Sequence, residues 1–201
     1  MKTFKTNNVI IRRFQMKDAD QEGLNLLLYN NSNIVPEEII DENRSLAKTK
    51  LIIKSAINEY YTDEPIWALE NKESKKIIGY IRVCNYSIKN KMCNVTWAIS
   101  SKHMDERFIQ EALVKIFNFL FSKKNIELIE CSYYEQRKSD SIILDGIGMT
   151  REATLRNRRV NEITNKKENF VIYSISKDEF YKFCSQKAIE NKQLKFLKRK
   201  I

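Results

Sequence analysis

A chain of 201 residues, 42% hydrophobic and 31% charged, has enough apolar material for one sizeable core, and no Pro/Gly/Ser-rich linker divides it. No run of about 18 apolar residues occurs, and Met1-Lys2-Thr3-Phe4-Lys5-Thr6 has no apolar stretch behind its lysines, so no membrane partner and a cytoplasmic location are expected. The net charge of +10 signals attraction to acidic partners but no function by itself, and Cys84, Cys93, Cys131 and Cys184 lie too far apart for a zinc site or a disulfide framework.

Val9 to Phe14 is a β-branched run that reads as a strand, followed by Asp18-Ala19-Asp20, where Asp18 or Asp20 would cap a helix using Leu24, Leu27 and Leu28. A second helix is expected from about Glu37 to Tyr61, with Pro36 in its first turn and Leu51, Ile52, Ser55 and Ala56 at helical spacing. From Pro65 the pattern changes to strands. Ile66 to Glu70 and Ile77 to Val83 flank a charged turn and predict a hairpin; Asn94 to Ser100 alternates Val95, Trp97 and Ile99 on one face. The strongest helical pattern follows, with Phe108, Ile109, Ala112, Leu113, Ile116, Phe117, Leu120 and Phe121 forming one apolar stripe.

Ile126 to Ser132 is the next strand, which a right-handed crossover lays parallel to the one ending at Ser100. A short helix from Ser139 to Asp145 is stopped by Gly146-Ile147-Gly148, and two strands, Met149 to Arg158 and Asn169 to Ser176, close the sheet. The fold class expected is α/β (mixed α+β): a central mixed, mostly antiparallel sheet of about six or seven strands flanked by helices. Residues 1–176 form this domain, and 177–201 a basic C-terminal helical extension in which Phe180, Cys184, Ala188, Leu194, Leu197 and Ile201 recur at near-helical spacing. That extension carries eight Lys/Arg against three Asp/Glu, enough for salt-dependent contact with nucleic acid or a ribosome.

The order of these elements, with Ile11-Arg12 before Asp18-Ala19, Trp67-Ala68-Leu69-Glu70, Lys76-Ile77-Ile78-Gly79, Gln110-Glu111-Ala112-Leu113, Ile147-Gly148-Met149 and Glu152-Ala153-Thr154-Leu155-Arg156, resembles the GNAT acetyltransferases over roughly Thr6 to Phe180. Within them it is similar to the branch that acetylates ribosomal-protein N-termini on serine or alanine. The resemblance implies acetyl transfer from acetyl-coenzyme A to a primary amine, on a small molecule or a protein N-terminus. It also implies that the cofactor lies along Trp97, Ala98, Ile99 and Ser100, with its diphosphate at the start of the following helix, at Arg107, Phe108, Ile109 and Gln110, where unpaired N–H groups favour an anion. Asp105 and Arg107 stand where the family usually has glycines. At about 6 Å and an effective dielectric near 20, a carboxylate there costs about a hundredfold in affinity for a phosphate. The family's usual Asn and small hydroxyl residue fall on Arg137 and Asp140, and its thiolate-protonating tyrosine near Leu144. The alternative is therefore a catalytically degenerate domain of this family serving as a binding or scaffolding module.

Acetyl transfer needs a group to take the amine proton and one to protonate the thiolate. Glu70, Glu127 and Glu130 are the sheet carboxylates available, and the candidates singled out are Glu130, Tyr133 and Tyr134, the tyrosines because a phenol with pKa near 10 suits thiolate protonation. His103 is the lone histidine and reads as a solvent-facing loop residue. Cys131 has no histidine placed to activate it as a nucleophile.

Overall fold

A computed structural model describes residues 3–21, 24, 46–100, 105–161 and 165–198, with side chains of the last helix described to Ile189. Lys102, His103 and Met104, Leu27 and Leu28, and the start of the second expected helix with Pro36 lie outside the described residues. The elements are β1 (Phe4–Lys5), β2 (Val9–Arg12), a 3-10 turn (Met16–Asp20), α1 (Leu46–Glu59), β3 (Ile66–Asn71), β4 (Ile77–Ser87), β5 (Met92–Ile99), α2 (Glu106–Lys123), β6 (Leu128–Tyr134), α3 (Lys138–Gly146), β7 (Thr150–Asn161), β8 (Lys166–Ser176) and α4 (Lys177–Lys198). Eight strands form one sheet in the order β1-β2-β3-β4-β5-β6-β8-β7. The expected six or seven strands rise to eight because Phe4–Lys5 pairs with Ile10 and Ile11, too short a segment to leave a pattern.

All neighbouring pairs are antiparallel except β5 with β6, the crossover carried by α2. Strand β3 is buried on both faces, so it reads as a near-continuous apolar run. One face carries Trp67, Ile81, Val83, Val95, Trp97, Ile129, Cys131 and Tyr133 and packs against the stripe of α2, whose Ile109, Leu113, Ile116, Phe117 and Leu120 are all fully or almost fully buried. On the opposite face Ile66, Ala68, Tyr80 and Ala98 meet Phe14 and Ala19 and the α1 residues Ile52, Ile53 and Ala56.

Asp18 does not cap a helix. Gln15 takes the cap position of the 3-10 turn, and the buried Asp18 carboxylate accepts the Gln15 N–H at 2.8 Å and both Arg12 Nη atoms at 2.9 Å. Burial would lower the Arg12 pKa, but Asp18 and Glu70 reverse the shift and hold it above its ordinary value. Two glycines are fixed by space: a Cβ on Gly79 would lie 2.4 Å from the Ala98 carbonyl oxygen, and Gly148 has φ +82° with Phe183 ring atoms 2.6 Å from where a Cβ would sit. That Phe183, with the buried Phe180 stacked near Phe117 and Phe121, ties the first turns of α4 to the body. From Ser185 to Ile189 every residue of α4 is exposed, so Ala188, the next member of the expected stripe after Cys184, does not pack, and the side chains of Leu194, Leu197 and Ile201 lie outside the described residues.

Candidate active site

The parallel pair β5 and β6 is hydrogen-bonded only at its beginning, where Met92, Cys93 and Asn94 face Leu128, Ile129 and Glu130. Beyond Asn94 each strand keeps its outer partner: Val95 to Ile99 stay paired with β4, and Cys131 to Tyr134 with β8. The two strands therefore splay, leaving backbone groups on the facing edges of Thr96–Ile99 and Cys131–Tyr134 available to a ligand, while the Val95 N–H meets the Cys131 thiol. At the closed end sits Cys131. Burial first, then the neighbouring Cys93 and Cys84 thiols, push its pKa well up against the Val95 N–H that lowers it, so it stays a neutral thiol and no nucleophile.

Trp97 and Ala98 are buried and hold the β5 edge from opposite faces of the sheet, while Ile99 and Ser100 are half-buried. The Ser100 N–H is already donated to the Ile78 carbonyl at 2.7 Å. Asp105 is the N-cap of α2: its Oδ1 accepts the Arg107 N–H at 3.0 Å, and both carboxylate oxygens accept the Arg107 guanidinium, the shortest contact being 2.6 Å. The Phe108 N–H goes to the Asp105 carbonyl at 3.0 Å. The Arg107 hydrogen bonds hold the Asp105 pKa below its ordinary value, and the same contact raises that of Arg107. The start of α2 thus carries its own anion, the arrangement that a helix dipole favours.

Ile109 faces the core, and the Gln110 side chain donates to the Ile142 and Ile143 carbonyls of α3 at 3.2 and 3.4 Å, so both side chains serve packing between α2 and its neighbours. On α3, Leu144 is fully buried, and Arg137 Nε pairs with the buried Asp140 at 2.9 Å.

The three acid–base candidates are divided by the pleat of β6. Tyr133 is buried on the α2 side with its ring centroid 6.0 Å from that of Tyr173. Glu130, three residues before Tyr133, and Tyr134, one residue after it, lie half-buried on the other side. The Tyr134 hydroxyl donates to the Val160 carbonyl at 3.3 Å, and its ring meets Phe170 edge-on at 5.4 Å. Glu70 and Glu127 are committed elsewhere, to Arg12 and to Lys91, each at 2.6 Å.

The sequence reading missed Tyr173. It faces Tyr133 from β8, and burial, reinforced by Tyr133 and the Asp145 carboxylate, pushes its pKa up to about 12. The alternation of Val171, Tyr173 and Ile175 announced its face, but only the pairing of Cys131 with Tyr173 brings it beside the splayed strands.

A family model described as Acetyltransferase (GNAT) domain matches residues 8–150. Among curated proteins, the Uncharacterized N-acetyltransferase YoaA of Bacillus subtilis (strain 168) is 22% identical over 174 residues, which cover 86% of this chain and 96% of that protein. Among solved structures, the ribosomal-protein-S5-alanine acetyltransferase from Vibrio fischeri superposes with TM-score 0.68 at 15% identity, covering 90% of this chain and 99% of that one. The microcin C7 self immunity acetyltransferase MccE, in complex with acetyl-CoA and AMP, gives TM-score 0.69 at 15% identity, covering 85% and 93%. At such identities the structural likeness establishes the fold.

Proposed function

This chain belongs to the acetyltransferase (GNAT) domain family, an acyltransferase family, and on that premise we propose that it moves an acetyl group from acetyl-coenzyme A to a primary amine, with a protein N-terminus as the acceptor. The observation that carries the reading is the splay of β5 and β6 after Asn94 and Glu130. The unshared strand edge fits the amide-bearing arm of the cofactor, which would lie along Trp97, Ala98, Ile99 and Ser100. At the start of α2 the fit requires Arg107 to exchange the Asp105 carboxylate for the diphosphate, with Phe108, Ile109 and Gln110 forming the turn beneath it. When bound, the cofactor supplies an activated acyl group as its thioester.

The chain's own contribution follows from the two sides of β6. Glu130, on the side away from α2, receives the amine proton, directly or through water, and Tyr133, on the α2 side with its ring against Tyr173, holds the proton for the departing thiolate. Tyr134 positions the β7–β8 hairpin through Val160 instead. A phenol held near pKa 12, as Tyr173 is, stays protonated across the working range and serves Tyr133 as a neutral hydrogen-bonding neighbour, not as a base.

The test is calorimetric titration with acetyl-coenzyme A, followed by thiol release in the presence of amine-bearing peptides. Micromolar binding with turnover, lost at least a hundredfold in kcat but not in affinity in Tyr133→Phe, is the expected result. The second reading, a degenerate domain retained as a binding module, is favoured by one observation, the self-capped α2 start at Asp105. It predicts no acetyl-coenzyme A binding even after Asp105→Asn.

A further inference from the structure

Strand β7 is the last strand of the sheet, so its outer backbone edge has no neighbour among the described residues. Leu155 pairs with Phe170 and Arg159 with Glu168, so four steps along β7 answer two along β8, and Arg156, Asn157 and Arg158 are looped out. The bulge is built rather than frayed. Asn157 takes φ +51°, its N–H donates to Asn169 Oδ1 at 3.0 Å, and Asn169 Nδ2 donates to Glu135 at 2.8 Å. Leu155, Arg156, Asn157 and Arg158 line a shallow depression that is open to solvent. Arg156 and Arg158 are exposed, and neither has an ion-pair partner among the described residues. Arg159 lies over the Phe170 ring, 4.7 Å from its centroid, and Phe170 pairs with Tyr134 of β6. The hairpin therefore leans, through the Tyr134–Val160 bond, over the same side of the sheet as Glu130.

We propose that this arm is a docking surface for an acidic, extended segment of another protein, which pairs with the free β7 edge while its carboxylates meet Arg156 and Arg158. Charge complementarity selects this occupant. Between Leu155 and Glu168 the hairpin carries Arg156, Arg158, Arg159, Lys166 and Lys167 against Glu162 and Glu168, and Glu168 is itself buried opposite Arg159. A second copy would bring the same cations against themselves, and like charges facing each other across paired strands are destabilising. An acidic strand gains both the backbone ladder and forked guanidinium–carboxylate contacts. That the docked segment also supplies the acceptor amine rests on the acetyl-transfer reading above.

The experiment uses the full chain and peptides labelled with fluorescein at their C-terminus, each with a free amino end followed either by four Asp/Glu or by four Lys residues. Anisotropy should show the acidic peptide binding at least tenfold tighter than the basic one. The double variant Arg156→Glu, Arg158→Glu should lose at least tenfold of that affinity, with the melting temperature and acetyl-coenzyme A affinity unchanged, and Arg156→Lys, Arg158→Lys should keep most of it. Equal binding of both peptides, or no effect of the double Glu variant, overturns the proposal. Displacement of the acidic peptide by single-stranded RNA that itself binds tighter overturns it in favour of nucleic acid, and a dimer dissolved by the double Glu variant overturns it in favour of self-association. Docking of the acidic peptide without its acetylation supports the docking surface and removes the acceptor role alone.

Discussion

Two carboxylate–guanidinium clusters stand at opposite ends of the burial scale. At the edge of the central sheet, the Asp18 side chain is 0% exposed and that of Arg12 11%, and Arg12 also grips Glu70. At the start of α2, the side chains of Asp105 and Arg107 are 30% and 80% exposed. The chemistry is the same and the consequence is not. Where water is absent, a lone guanidinium has no substitute for its carboxylates, so the cluster is a structural obligation. Where water is present, the pair is weak and exchangeable, and what it governs is which anion occupies the end of a helix.

The largest effect is expected from breaking the buried cluster. Asp18→Asn keeps the shape but leaves Arg12 without its bidentate partner, and should cost roughly 3–5 kcal/mol. For a domain of this size that is a fall of about 10 °C in melting temperature by scanning calorimetry. A fall below about 3 °C would mean that Arg12 reaches water and that the contrast with Asp105 is false. Glu70→Gln, which leaves the Asp18 contacts in place, should cost less, roughly 1–2 kcal/mol.

This contrast was not legible in the sequence, where Asp18 and Asp105 both precede helical patterns and both read as helix-start acids. Arg12 meets Asp18 six residues on but Glu70 only through the β2–β3 pairing of Ile10 with Glu70 and Arg12 with Ala68. What periodicity encodes was legible: the hairpin of β3 and β4, the stripe of α2 and the crossover that makes β5 and β6 parallel. What pairing decides was not. The splay after Asn94, the looped-out Arg156 to Arg158 and the meeting of Tyr133 with Tyr173 all depend on registers that no local pattern carries. The residues of the candidate site divide in the same way. Trp97 to Ser100 and the α2 start were placed by resemblance, whereas the commitment of Gln110 to α3 and of Tyr134 to Val160 needed the packed fold.

At the exposed end the readout changes from stability to ligand binding. Asp105→Asn removes the charge while keeping a side chain that caps helices equally well, so the melting temperature should move by less than about 2 °C. Acetyl-coenzyme A affinity, measured by calorimetry, should rise at least about tenfold as Arg107 is released to the diphosphate. Arg107→Ala should reverse that gain when added to Asp105→Asn. An affinity that is unchanged or weaker in Asp105→Asn would show that the self-cap is no competitor, and would move the anion site off the start of α2.

The smallest effect sits between these extremes, at Arg137 and Asp140, where the carboxylate side chain is 4% exposed but its partner is 40% exposed. Here burial outweighs the cation: desolvation raises the Asp140 pKa, and the Arg137 charge and hydrogen bond offset it only in part. A carboxyl whose folded pKa lies above its unfolded value binds more protons in the folded state between the two, so stability falls as pH rises through that window. The window opens near the ordinary aspartate value of about 4 and closes at the raised folded value. Asp140→Asn cannot ionise, so its melting temperature relative to the parent should climb across that interval and level off above it. A relative melting temperature that falls with rising pH would mean that Arg137 dominates, and would place this pair with Arg12 and Asp18 as one in which the partner, not the burial, sets the balance.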